Sequence, residues 1–154
     1  MSDYFESMQV VEDTQKDKYL TFSIGEEVFG IEIRYVTEII KHQEITDIPD
    51  VETYIKGVIN LRGKIIPVMD MRLRFNKIEK EYHDRTCIIV VDVCDITMGF
   101  IVDTVAEVIL IPEENVVPPP EINNKKHKYV KAIGKIDSEV QLILDCEKLV
   151  TENV

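Results

Sequence analysis

The feature of this chain that most narrows its fold is a ten-residue pattern that occurs twice. Gly30-Ile31-Glu32-Ile33-Arg34-Tyr35-Val36-Thr37-Glu38-Ile39 is matched by Gly99-Phe100-Ile101-Val102-Asp103-Thr104-Val105-Ala106-Glu107-Val108, at an offset of 69. Gly30 falls on Gly99, Val36 on Val105 and Glu38 on Glu107. A second correspondence, at an offset of 75, sets Asp70 against Asp145, each after an apolar run. Self-similarity of this kind marks a repeated supersecondary unit. Each half holds several short strand signals followed by a short helix signal, and each is too small to bury a strong core alone. Two small β-barrels packed together are the expected architecture.

Residues 54–75, YIKGVINLRGKIIPVMDMRLRF, show the local chemistry most clearly. Apolar β-branched runs flank the polar punctuation Asn60-Leu61-Arg62-Gly63. Asn and Gly tolerate the backbone angles of a tight turn, so this is a strand–turn–strand unit. Arg62, held in a turn between buried strands, must meet a carboxylate or face a partner. Strands are also expected at 19–24, 28–33, 87–93, 98–102, 105–111, 129–136 and 140–144. Asp70 is placed to cap a short helix over 70–75, and a second helix is expected to start near Asp145. Residues 76–85 read as a charged linker. Residues 112–128, with Pro118-Pro119-Pro120, read as an exposed loop containing a stiff extended piece.

The formal net charge of −11 argues against nucleic-acid binding and against docking on an anionic membrane, both of which call for Lys and Arg. No apolar run approaches a membrane span, and the acidic N-terminus lacks a secretory signal, so a cytoplasmic protein is expected. Cys87, Cys94 and Cys146 form no CxxC pair, and cysteine in or beside an apolar run packs as a small hydrophobe. His42, His83 and His127 show no ligand spacing. Nucleophile-elbow, HExxH, phosphate-loop and dinucleotide patterns are all missing. The expectation is a non-enzyme without metal or cofactor, whose work is contact.

Three ordered blocks, FSIGEEVFGIEIRYVTEI at 22–39, YIKGVINLRGKIIPVMDMR at 54–72 and MGFIVDTVAEV at 98–108, resemble the CheW family of bacterial chemotaxis coupling proteins. The resemblance runs from about residue 18 to about 150. It implies an all-β fold of two SH3-like five-stranded barrels around a shared hydrophobic core, with short helices. The expected organisation is a flexible tail over 1–17, one domain over 18–150 and a tail over 151–154. Within the domain a first barrel is expected over 21–85 and a second over 86–150, with intertwining of the two left open.

The resemblance also implies a function: an adaptor coupling methyl-accepting chemotaxis receptors to the histidine kinase CheA, in arrays near the inner membrane. The positions it assigns to receptor binding are Ile33, Val36, Glu38, Gly57, Asn60, Arg62, Val105 and Val108. These would line a groove for the tip of a receptor helical hairpin. Arg62 and Glu38 could instead pair to brace the groove, and the valines could be plain core. A second surface would meet the regulatory domain of CheA, and other CheW copies, with Val117 and Ile122 as candidates. Ile122 could alternatively fold back over the barrel. The alternatives are a CheV-type or CheA regulatory-domain-like module and, in another class, a small β-barrel enzyme or ligand-binding protein. The chain shows neither receiver nor kinase motifs, which favours the free-standing adaptor.

Overall fold

Asp70 and Asp145 end equivalent strands and start equivalent helices. The Asp70 Oδ1 accepts from the N–H groups of Arg72 (2.9 Å) and Leu73 (3.4 Å), and Asp145 Oδ1 accepts from Lys148 N–H (3.1 Å). The caps satisfy donors that a helix start leaves unpaired. The helices are α1 (Met71–Arg74) and α2 (Cys146–Thr151). This geometry comes from a computed structural model that describes residues 15–121 and 128–152; residues 1–14 of the expected tail, Ile122, and residues 153–154 lie outside it.

The strands of the first repeat are β1 (Lys18–Ile24), β2 (Glu27–Glu32), β3 (Val36–Lys41), β4 (Ile55–Leu61) and β5 (Lys64–Asp70). Those of the second are β6 (Cys87–Val93), β7 (Ile96–Val102), β8 (Thr104–Leu110), a short β9 (Val116–Val117), β10 (Val130–Ile136) and β11 (Glu139–Leu144). The first residues of β1 and β6 are 69 apart, as are those of β2 and β7; for β4 and β10, and for β5 and β11, the spacing is 75.

Strand pairing gives two sheets, ordered β8-β1-β2-β11-β10-β9 and β3-β6-β7-β5-β4. In repeat terms both have one strand order, with the first hairpins exchanged. The β1–β2 hairpin joins strands of the second repeat, and β6–β7 joins strands of the first. The repeats are therefore intertwined, and sheet membership crosses the 85/86 point. The architecture is two SH3-like β-barrels.

The exchange explains the repeated glycine. Gly30 of β2 lies opposite Ile143 across a parallel junction, and Gly99 of β7 lies opposite Val68 across its equivalent. A Cβ on Gly99 would stand 2.7 Å from Ile88 Cγ2 and 2.9 Å from Val68 Cγ1; one on Gly30 would stand 3.3 Å from Ile143 Cδ1. Branched side chains occupy the space that a larger residue would need.

One core lies between the sheets. Leu20, Phe22 and Phe29 enter it from one sheet, and Met69, Ile89, Val91 and Phe100 from the other, all buried. The five-stranded sheet closes over a smaller cluster on its other face, with Ile59, Ile66, Val68, Ile88, Val90 and Ile101. Each such side chain contributes about 1.5–3 kcal/mol by leaving water.

Asp103 ties the two barrels together. It accepts from Arg72 Nε (2.9 Å), from Arg72 Nη2 (2.5 Å) and from Gly25 N–H in the β1–β2 turn (2.7 Å). Burial pushes its carboxyl up, but the Arg72 fork and the Gly25 N–H outweigh burial and hold it below the ordinary aspartate range. A depressed carboxyl stabilises the fold above its unfolded value and loses that contribution as acid protonates it. Arg72→Ala is expected to cost about 2–3 kcal/mol at neutral pH, because a partly buried carboxylate is stranded. In urea titrations the gap from the wild type should stay full above about pH 5 and shrink toward about pH 3. A gap independent of pH would rule out this charge pair as its cause.

Two local expectations change. Val116 and Val117 form β9 against Gly134 and Ile133, where the sequence suggested only loop: two β-branched residues satisfy part of an open sheet edge. Cys94 does not pack as a hydrophobe but is exposed in the β6–β7 turn, where Cys94 and Asp95 both take positive φ. Cys146 is buried, and burial with Glu32 nearby pushes its thiol up to about 12.

Candidate interaction surface at the rim of the shared core

The expected receptor-binding residues fall into three structural groups. Ile33, Val36 and Val105 form the apolar group. Ile33 opens a 3₁₀ turn (Ile33–Tyr35), Val36 begins β3, and Val105 lies on β8. All three are half-buried against the shared core. β3 and β8 are the outer strands of their sheets, so one core reaches the surface along two repeat-related edges. Val108 follows on β8 at 50 % exposure, paired with buried Leu20. Its repeat partner Ile39, 43 % exposed on β3, pairs with buried Ile89.

The second group is polar. The chain reverses between β4 and β5 through Arg62-Gly63, with φ of 52° and 85°, the sign pattern of the type I′ turn that suits a two-residue hairpin. Asn60 Oδ1 accepts from Gly63 N–H at 2.8 Å and fixes the turn. This aims Arg62 at β3, where it forms a fork with Glu38: Nη1 to Oε1 at 3.2 Å, and Nη2 to Oε2. Glu38 is 29 % exposed and Arg62 is 71 % exposed, so the guanidinium keeps an open outer face while paired.

Gly57 stands apart. It is buried at a bulge of β4, with φ of 142°, and an added Cβ would lie 2.0 Å from the Thr46 carbonyl oxygen. Its place is the close approach of the 41–53 loop to β4, behind the surface. For the second expected surface, Val117 lies half-buried on β9, and Ile122 is outside the described residues.

Sequence reasoning missed Ile39, Ile65 and Val140. Ile65 on β5 and Val140 on β11 are equivalent at the offset of 75, and they are 59 % and 56 % exposed. The signal was present: carrying Val108 back by 69 finds Ile39. Among the described residues no cluster of His, Cys, Asp or Glu could hold a metal ion, and no helix is long and apolar enough to cross a membrane.

This arrangement defines a β-barrel scaffold with apolar edges and a charged turn. The family model described as CheW-like domain matches residues 18–154. The chain is 36% identical over 130 residues to the chemotaxis protein CheW of Bacillus subtilis, covering 84% of this chain and 83% of that one. It is 32% identical over 140 residues to the chemotaxis protein CheW of Klebsiella aerogenes, covering 90% and 84%. A crystal structure of the scaffolding protein TtCheW from Thermoanaerobacter tengcongensis is similar at a TM-score of 0.78 and 39% identity, covering 84% of this chain and 88% of that one. The chain belongs to the CheW-like family. Its coarse role is that of a chemotaxis adaptor, and its likeness to a scaffolding protein points to non-catalytic work.

Proposed function

We propose that this chain couples methyl-accepting chemotaxis receptors to the histidine kinase CheA, and that the rim of the shared core receives the tip of a receptor helical hairpin. The observation that carries this reading is that half-buried Ile33, Val36 and Val105 and exposed Val108 carry one core to the surface at the edge strands β3 and β8, with Glu38 of β3 paired to Arg62 of the β4–β5 turn. Helix-in-groove recognition uses this combination, with apolar anchors supplying affinity and a few charges setting orientation. Gly57 and Asn60 serve the surface indirectly, by seating β4 and by holding the turn that aims Arg62.

The regulatory domain of CheA is the second partner, with Val117 on β9 as a contact; Ile122, the other candidate, lies outside the described residues. Ile65 and Val140 support an extended assembly, because the repeat gives each barrel the same outward apolar position. Surfaces that recur on one chain allow heterologous contacts to close into rings with the kinase or with further copies. The adaptor would then work in the cytoplasm, beside receptor arrays at the inner membrane.

Calorimetric titration of the chain with the regulatory domain of CheA tests the kinase side. A saturable one-to-one signal is expected. The absence of heat and of complex at high micromolar concentration, with both proteins folded, would contradict it.

A further inference from the structure

A cleft of about 500 Å³ lies where α1 meets the starts of β4 and β10. Arg74, at the end of α1, has its guanidinium between the rings of Tyr54 (4.2 Å) and Tyr129 (4.5 Å). Its Nε and Nη2 are buried and have no hydrogen-bond acceptor among the described residues. Those two atoms form the side of a guanidinium that presents parallel N–H groups to a planar carboxylate. Buried donors without an acceptor are costly, and native proteins leave few of them.

The surroundings point the same way. Lys128 also lines the cleft, and none of the lining residues is acidic, on a chain with a net charge of −11. Lys128 pairs with Glu152 at 3.3 Å, outside the lining, and its ammonium lies 5.3 Å from the centroid of the Tyr129 ring. The repeat offers an internal control. Tyr54 and Tyr129 are equivalent at the offset of 75, and the same offset carries Arg74 to Leu149, which is fully buried in the shared core. The fold thus accommodates an apolar residue at this structural position, while the first repeat places a cation there.

We propose that the Arg74 cleft is a carboxylate-binding site, independent of the receptor-facing rim. Arg74 supplies a bidentate fork, Tyr54 and Tyr129 hold it flat, and Lys128 adds a second charge at the mouth. Because the fork is shielded from solvent, a carboxylate reaches it when one flanking ring rotates, so the ring signals move with those of Arg74. The carboxylate could belong to a small free acid or to an acidic side chain of a protein.

The test is a titration of the full chain, followed by NMR at the Arg74 Nε–Hε group, with glutarate, a tetraglutamate peptide and inorganic phosphate at low ionic strength. A saturable Arg74 shift with the carboxylate probes is expected, abolished in Arg74→Leu and weakened about tenfold in Arg74→Lys, which keeps the charge but loses the fork. Lys128→Gln should weaken it several-fold. Equal affinity for glutarate and peptide assigns the site to a small acid; clearly tighter peptide binding assigns it to a protein side chain. No saturable Arg74 shift at tens of millimolar would overturn the proposal. So would shifts elsewhere that persist unchanged in both Arg74 variants, or stronger binding of phosphate than of either carboxylate.

Discussion

Gly57→Ala is expected to destabilise the protein by about 3–5 kcal/mol, the range for a backbone clash combined with a forbidden conformation. At φ of 142° an L side chain is strained wherever there is space, and here there is none. The Thr46 carbonyl that the new methyl would strike also accepts from Val58 N–H at 2.9 Å, and Thr46 N–H donates to Val58 O at 2.9 Å. Moving the loop away therefore breaks both backbone bonds between Thr46 and Val58. Urea denaturation and thermal melting read the loss directly. A variant as stable as the wild type would mean that the loop yields at little cost and that Gly57 does not seat β4. The prediction also bears on interpretation: lost receptor binding in a Gly57 variant would report a displaced strand, not a missing contact.

Arg62→Glu is expected to have the opposite profile. The side chain is exposed, and the turn survives because Asn60 and Gly63 hold it, so melting should barely change. Binding of a receptor hairpin should fall roughly 10- to 100-fold, since the substitution sets two carboxylates side by side and reverses the charge facing the partner. The exchange Glu38→Arg with Arg62→Glu separates two roles. If the pair only braces the rim, the exchange restores binding. Because Arg62 keeps its outer face open while paired, partial recovery is expected, with the remaining loss reporting direct contact with the receptor. Full recovery would make Arg62 a brace alone.

The elements were legible because their signals are local. Apolar β-branched runs marked the strands, and Asp70 and Asp145 marked the helix starts. The repeat showed that there are two copies, but not that their first hairpins are exchanged. Pairing β1 with β8 joins segments far apart in the chain, and no local pattern specifies which edge a hairpin joins. A carboxylate for Arg62 was one of two outcomes that a turn arginine between buried strands allows, and Glu38 entered as its alternative partner only through the positions that the resemblance assigns. Gly57 was grouped with the groove positions by resemblance alone, because the reason for a glycine there lies in Thr46, inside a loop without periodicity. The Arg74 cleft was hidden for the same cause: its two tyrosines and its arginine come from three separate segments, and only the fold brings them together.

The central claim is that the rim of the shared core is the receptor-facing surface. Methyl NMR of the isotope-labelled chain, titrated with a receptor hairpin tip, tests it most directly. The account predicts saturable shifts at Ile33, Val36, Ile39, Val105 and Val108, with Ile59 and Ile66 inside the five-stranded barrel unchanged. Saturable binding that leaves those five methyls unmoved and shifts Ile65, Val140 or Val117 instead would contradict it.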